Sequence, residues 1–145
     1  VRAADSTLPL VIFGGLGDDD IIAGQNKDIV FGDFGRVQYL DGSGNLIAVT
    51  GCVGVNADGT YAKSFGEQTA RSLAIIQAAI EALGGKIEHV IRTRMYVTDV
   101  SKWEEVARVH GSVFAEIRPA TTIVEVPRLI DGDAVIEIEA DCVIP

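Results

Sequence analysis

Two glutamates in one strand-like run are the residues of this sequence best suited to proton transfer. Glu137 and Glu139 lie within residues 134–141, where polar and apolar residues alternate. The period of two indicates a half-buried strand with both carboxylates on one face. A carboxylate held on a partly buried surface can act as a general acid or base. The alternative is that the two acids form a solvated outer face or an ion pair, and the residues alone leave both interpretations open.

Two more strands are predicted close to this run. One spans residues 121–126 and is separated from the glutamate strand by Pro127 and the turn Asp131-Gly132-Asp133. The other spans residues 90–97 and also alternates. It is expected to turn Ile91, Thr93, Met95 and Val97 to one face and Arg92, Arg94 and Tyr96 to the other. A polar face on such a strand is a second candidate for chemistry.

The remaining elements must position these residues. An apolar stripe predicts a helix over residues 67–83, ended by Gly84-Gly85. A second helix is predicted from Ser101, with Glu104 completing a capping box and His110 packing on its apolar stripe. Residues 36–40 and 45–50 read as a hairpin around the turn at 41–44.

The order strand, strand, helix, strand, helix, strand, strand predicts the layout of the sheet. Two successive strand–helix–strand units imply parallel pairings with both helices on one face. The opposite face, with Arg92, Arg94 and Tyr96, is then left without helical cover. We expect such a face to require a partner, the simplest being another copy of the same chain.

The stretch RPATTIVEVPRLIDGDAVIEIEAD, residues 118–141, together with IRTRMYVTDVSKWEEVARVHGSVFAEIRPA upstream, resembles the RidA family. Its members, also called YjgF or endoribonuclease L-PSP proteins, are reactive imine and enamine deaminases. The resemblance covers about residues 45–145. It implies an α+β fold (RidA-like, similar to chorismate mutase) with one sheet, two helices packed on one face, and a homotrimer with ligand clefts between subunits.

The resemblance also implies roles for individual residues. Glu137 matches the glutamate that positions a water or moves protons, and Thr50 and Gly51 end a strand that contributes to the cleft. Phe34 aligns with the aromatic residue, commonly Tyr, that lies upstream. Ile123 and Arg94 are further candidates for substrate contact. No cofactor and no metal are implied.

One residue departs from the family pattern. The deaminases carry an Arg directly after Pro-Ala, where it binds the substrate carboxylate, whereas Pro119-Ala120 is followed here by Thr121. A hydroxyl cannot reproduce the bidentate, charge-assisted contact of a guanidinium. Arg118 and Arg94 are candidate substitutes.

The first 33 residues differ from the rest and are treated as a separate segment, with the RidA-like domain over residues 34–145. GGLGDDDII, residues 14–22, resembles the calcium-binding repeat of RTX β-rolls, and residues 23–31 form a degraded second copy. Because such repeats bury their apolar face only against neighbours, two are too few for a stacked roll. We expect short strands or irregular structure here and no calcium binding tighter than about millimolar.

Composition excludes several classes of function. The net charge of −9 argues against a nucleic-acid partner, and no apolar run is long enough to span a bilayer. Cys52 and Cys142 form neither a disulfide framework nor a zinc motif and suit the reducing cytoplasm.

Two hypotheses about function follow. The first is a deaminase-type hydrolase that converts a small imine or enamine to a carbonyl compound and ammonia. The second is a trimeric protein of the same fold that binds a small molecule, such as a 2-oxo acid, without deaminase activity. A calcium-binding RTX-like module is a remote third. The residue after Pro-Ala discriminates between the first two, and Thr121 adds weight to the second.

Overall fold

The computed structural model describes residues 11–13, 20–22, 29–31, 36–41 and 44–144, with side chains described at 48, 49 and 51–144. The strands are β1 (Val11–Phe13), β2 (Asp20–Ile22), β3 (Ile29–Phe31), β4 (Arg36–Asp41), β5 (Gly44–Val53), β6 (Val90–Val97), β7 (Ala120–Glu125) and β8 (Ile136–Ile144). The helices are α1 (Phe65–Ala82) and α2 (Trp103–Phe114). Short 3-10 helices at Ile87–His89 and Val100–Lys102 precede β6 and α2.

The main sheet has six strands in the order β2-β4-β5-β8-β6-β7, and β1 and β3 form a separate parallel pair. The α+β class is therefore confirmed. The predicted parallel pairing is correct for β6 with β7. It is wrong for β5 with β6, because the C-terminal strand β8 lies between them and is antiparallel to both. The glutamate-bearing strand is thus an interior strand of the sheet.

Both helices pack on one face of this sheet, as predicted. The core consists of inward-facing strand residues and one stripe of each helix. Its fully buried apolar members include Val49, Cys52, Ile76, Ile80, Val97, Val106, Ile136 and Ile138. The side chains of β8 alternate between buried and half-buried positions from Ile136 to Cys142. This alternation sends the apolar residues under the helices and the acids to the opposite face.

Strand β6 keeps the predicted bounds but not the predicted face of its second residue. Thr93, Met95 and Val97 are buried on the helix side, whereas Ile91 is 52% exposed. The register with β8 shifts between Val90 and Arg92. A bulge of this kind adds one residue and reverses the alternation around it, which is why Ile91 does not join the core.

Helix α2 begins with a different local structure from the one expected. The predicted capping box at Ser101 is wrong, because Asp99 accepts the Ser101 amide at 2.9 Å and a 3-10 turn forms before α2 begins. The reciprocal arrangement occurs on α1. There Ser64 Oγ accepts the Glu67 amide at 3.2 Å and donates to Glu67 Oε2 at 2.8 Å.

A buried amide joins α1 to the segment that leads into β8. Gln68 is 1% exposed, and its Nε2 donates to the carbonyls of Ala62 at 2.8 Å and Asp133 at 2.9 Å. Its Oε1 accepts the Val135 amide at 2.9 Å. These three bonds fix where the chain enters β8, one residue before the strand that carries Glu137.

Only part of the N-terminal segment lies within the described residues, namely 11–13, 20–22 and 29–31. Short strands β1, β2 and β3 are present, which agrees with the expected short-strand structure. Asp18 and Asp19 of the RTX-like repeat lie outside the described residues. Within the part of the chain that the structure describes, no helix is long and apolar enough to cross a membrane.

Candidate functional site

The sheet face opposite the helices carries a cluster of charged and polar side chains, here called the open face. It comprises Arg92, Arg94 and Tyr96 of β6 and Glu137, Glu139 and Asp141 of β8. The two strands are paired in register, with Tyr96 opposite Glu137 and Arg94 opposite Glu139. No helix of the described residues covers this face.

Arg94 lies at the centre of an ion-pair network on the open face. Its two terminal nitrogens contact Glu139 Oε2 and Asp141 Oδ2, each at 3.0 Å. Tyr96 donates its hydroxyl to the same Glu139 oxygen at 3.2 Å. Burial lowers the pKa of Arg94, but the charges of Asp141 and Glu139 outweigh it and raise the pKa above the ordinary value. Glu139 therefore has the ion-pair role that the sequence left open.

These contacts also bear on Arg94 as a candidate substrate ligand. Its guanidinium is engaged by two carboxylates of its own sheet, and its side chain is 33% exposed. A substrate carboxylate would have to compete with Glu139 and Asp141 for the Arg94 guanidinium. Arg92, the other open-face guanidinium, lies 3.7 Å from Asp141.

Glu137 occupies an interior position in the sheet, flanked by Tyr96 on β6 and Val53 on β5. Its side chain is half-buried on the open face. Burial and, in addition, the charge of Glu137 raise the pKa of two neighbouring side chains, Cys52 and Tyr96. Burial is the main cause that raises the pKa of Cys52 to about 12, and Glu137 and then Glu139 add to that rise. The pKa of Tyr96 is raised by burial first and then by Glu139, with a smaller contribution from Glu137. A carboxylate that is only partly hydrated has a suitable environment for general acid–base work.

Thr121 lies on the other side of the sheet from Glu137. It pairs in register with Thr93 at the edge strand β7, and the two hydroxyl oxygens are 3.0 Å apart. Thr93 is fully buried on the helix side. Ile123, two residues along β7, is half-buried and packs against the core. Within one chain, the structure therefore does not bring Thr121 and Ile123 together with Glu137.

The other predicted site residues lie at the irregular end of β5. The register between β5 and β8 shifts between Val49 and Cys52, and Gly51 has φ of +68°. An L side chain disfavours that conformation, so the bulge requires a glycine at this point. The backbone of Thr50 belongs to the same bulge, while its side chain and the whole of Phe34 lie outside the described residues.

Arg118 closes the turn between α2 and β7. Its φ is +54°, a left-handed conformation that is uncommon for a residue other than glycine. Its amide donates to the Phe114 carbonyl at 2.8 Å, and its side-chain Nε donates to the Ala115 carbonyl at 3.1 Å. The side chain is thus held along the end of α2.

A polar contact that the sequence did not predict joins α2 to β6. His110 Nε2 and Thr93 Oγ1 are 3.0 Å apart, and both residues are buried. His110 also lies against the Phe114 ring, with ring centroids 4.6 Å apart. Burial lowers the pKa of His110, so the ring is neutral near pH 7. A signal was present, since each residue is a polar member of an otherwise apolar face.

The described side chains include two cysteines, Cys52 and Cys142, and the acids of the open face. No group of three or more His, Cys, Asp or Glu residues there could hold a metal ion. Both cysteines are buried. Burial raises the pKa of the Cys142 thiol to about 11, so neither cysteine offers a thiolate near pH 7.

Comparison with known proteins agrees with this architecture. The family model described as Endoribonuclease L-PSP matches residues 35–144. A 2-iminobutanoate/2-iminopropanoate deaminase of Escherichia coli is 33% identical over 123 residues, which are 82% of this chain and 93% of that protein. A RutC family protein of Pyrococcus abyssi is 33% identical over 99 residues, or 67% of this chain and 77% of that protein.

Solved structures of the same family resemble this fold. A member of the YjgF family from Mycobacterium tuberculosis is 39% identical, with a TM-score of 0.63 over 68% of this chain and 79% of that one. The yjgF gene product of Escherichia coli is 31% identical, with a TM-score of 0.66 over 73% of this chain and 85% of that one. The fold and these matches agree, and the chain belongs to the endoribonuclease L-PSP family, whose members include proteins named YjgF and RidA.

Proposed function

We propose that this protein is a hydrolase that converts a small reactive imine or enamine to a carbonyl compound and ammonia. Water adds to the imine carbon, and the resulting carbinolamine loses ammonia as the carbonyl forms. An enamine first tautomerises to the imine. Glu137 accepts a proton from the attacking water and passes it to the imine nitrogen. It then moves the proton of the carbinol hydroxyl to the same nitrogen, which leaves as ammonia. The observation that carries the proposal is the position of Glu137, half-buried on the open face of an interior strand.

The proposed site is assembled between copies of the chain. Thr121 and Ile123 face the helix side of the sheet and Glu137 faces the open side. A cleft that uses all three therefore draws them from two copies. We propose a homotrimer with the open faces turned inward, in which Phe34, Thr50 and Gly51 contribute to the wall of the cleft. The uncovered Arg92, Arg94 and Tyr96 support this assembly, because it shields a partly buried charged network.

A second candidate function is binding of a small 2-oxo acid without deamination. It is favoured by Thr121, a neutral residue in the position where the resemblance implies a carboxylate-binding Arg. Both candidate substitutes are already engaged within the chain. Arg94 is engaged by Glu139 and Asp141, and Arg118 is held along α2.

Ammonia release from one small imino acid, generated in place, distinguishes the two. Losing a charge-assisted contact costs roughly 1.5–3 kcal/mol, or about one to two decades in rate. Wild type should be weak, Thr121→Arg should raise turnover by roughly that factor, and Glu137→Gln should abolish it. Glu104→Gln, on the exposed side of α2, is the matched control.

Circular dichroism of each variant checks that the fold is kept. Full turnover in wild type that Glu137→Gln leaves unchanged would contradict the assigned role of Glu137. Tight binding of a 2-oxo acid by calorimetry, without ammonia from any variant, would instead favour the binding protein.

A further inference from the structure

A chain of three hydrogen bonds, here called the hydroxyl chain, runs from the buried interior to the exposed edge of the sheet. His110 Nε2 lies 3.0 Å from Thr93 Oγ1, and Thr93 Oγ1 lies 3.0 Å from Thr121 Oγ1. Thr121 Oγ1 in turn lies 3.0 Å from the carbonyl oxygen of Pro119. His110 and Thr93 are buried, whereas Thr121 is exposed. The chain thus links an internal imidazole to the residue that replaces the expected Arg.

Counting protons fixes the direction of every bond in the hydroxyl chain. A carbonyl oxygen can only accept, so Thr121 donates its single hydroxyl proton to Pro119. Thr121 must then accept from Thr93, which uses the only proton of that hydroxyl. Thr93 must accept in its turn, so Nε2 of His110 carries the hydrogen. The three contacts together assign the Nε2–H tautomer of His110, which the geometry of the ring alone does not reveal.

This direction determines what Thr121 can offer to a ligand. Its proton is committed to Pro119 and one lone pair receives the Thr93 proton, so a lone pair is what remains for a molecule approaching from solvent. Successive hydrogen bonds in one direction polarise each other and strengthen this arrangement. A carboxylate is itself an acceptor and does not complement a lone pair. An N–H or O–H group does.

We propose that Thr121 is a specificity-determining residue that accepts a hydrogen bond from the ligand, with His110 and Thr93 as the positioning residues that hold it in this state. The ligand class follows from the chemistry. At this point the cleft takes an N–H or O–H donor, such as an amide, an uncharged imine or an iminium, in preference to a carboxylate. This inference rests on the proposed function for the location of the cleft, and it narrows the class of substrate.

A pair of stable probes tests the preference directly. Pyruvate and pyruvamide differ in that the carboxylate of one is a carboxamide with N–H donors in the other. We expect wild type to bind pyruvamide more tightly than pyruvate by roughly three- to tenfold, the value of one hydrogen bond. Thr121→Val should remove this preference and Thr121→Ser should keep it. Thr122→Val, the same change one residue along on the opposite face, should leave the ratio unchanged.

The positioning residues have a readout of their own. Nitrogen-15 NMR of the histidine rings should report the Nε2–H tautomer for His110 in wild type. Thr93→Val should reduce the ratio of the two affinities toward one, and Thr93→Ser should restore it. A residue that only supports the fold would change both affinities together and leave their ratio unaltered.

Each outcome bears on the inference separately from the proposed function. An Nδ1–H tautomer for His110 would overturn the assigned direction of the hydroxyl chain. Pyruvate binding as tightly as pyruvamide, or no binding of either probe, would overturn the role of Thr121 as an acceptor for a ligand. If the preference holds but no imine yields ammonia, the inference stands and the hydrolase proposal fails. If ammonia is released without the preference, the reverse is true.

Discussion

Thr121 and Glu137 project from opposite faces of the same sheet. Thr121 is in register with buried Thr93 on the helix side, and Glu137 is in register with Tyr96 on the open face. Both residues were expected to contact the same ligand. In a single copy of the chain, the sheet itself stands between them. A site that contains both must therefore combine one residue from each of two neighbouring copies.

Mixing variants tests this directly. The double variant Thr121→Arg/Glu137→Gln should be inactive alone, because every site it forms lacks the glutamate. Co-refolded with wild type, it should form sites with the new guanidinium from one copy and Glu137 from another. We expect turnover of a small imino acid to exceed the sum of the separate proteins by several-fold. If the site lay within one chain, the mixture would show no gain.

The oligomeric state is a simpler prediction. The open face holds Arg94 in two 3.0 Å ion pairs at partial burial and is covered by no helix among the described residues. Ion pairs of this kind contribute only about 0–1 kcal/mol each on an exposed surface, so they do not by themselves explain the arrangement. We expect a trimer in sedimentation equilibrium at micromolar concentration. A clean monomer there would eliminate both the trimer and the shared cleft.

The Gln68 side chain predicts a sharp difference between two glutamines of α1. Gln68→Leu leaves two carbonyls and one amide without the side-chain partner they have in the folded protein. At about 1–3 kcal/mol for each buried group, partly relieved by water, we expect a loss of roughly 2–4 kcal/mol in urea unfolding. Gln77→Leu, whose amide donates to Glu81 on the exposed side, should stay within about 0.5 kcal/mol. Equal effects of the two would refute the role given to Gln68.

Two glycines make a matched pair for packing. A Cβ at Gly54 would lie 2.5 Å from the Gln68 carbonyl oxygen and 2.7 Å from its Cα, both backbone atoms that cannot move aside alone. Gly54→Ala should cost roughly 3 kcal/mol, the upper end of the usual cost of overpacking. Gly111, inside α2, has nothing within 4 Å of an added Cβ. Gly111→Ala should therefore stabilise the protein by about 0.5–1 kcal/mol, and thermal melts of both variants give the comparison.

The sequence predicted those features that depend on short-range patterns. Alternation over residues 90–97 gave the bounds of β6 correctly, and the order of elements gave the helix-free face. It did not give the place of β8 between β5 and β6, because that depends on which strands pair across the whole chain. The bulge that exposes Ile91 likewise depends on the register with β8.

The site was predictable to a similar extent. The resemblance identified Glu137 and Thr121 as candidates. It did not predict that they lie on opposite faces of the sheet, because alternation within β7 and β8 does not reveal how each strand pairs with β6. Neither was the His110–Thr93 contact predictable, because its partners are 17 residues apart on different elements. A polar residue on an apolar face indicates that a buried hydrogen bond is needed there, but it does not predict which residue is the partner.

The last prediction concerns pH and the buried imidazole. Burial lowers the pKa of His110 from its ordinary value of 6.5. Below about pH 6.5, the unfolded chain therefore binds more protons at this residue than the folded chain does. The stability that neutral His110 contributes is complete above that pH and is lost as pH falls toward the lower folded pKa. The variant His110→Gln tests this, because it keeps a side-chain N–H donor but cannot titrate.

We expect the wild type to lose more free energy of unfolding than His110→Gln between pH 8 and pH 5 in urea titrations. The measurement at pH 8 serves as the reference, because the imidazole is neutral there in both the folded and the unfolded chain. Parallel pH profiles for the two proteins would show that His110 is not held neutral by burial.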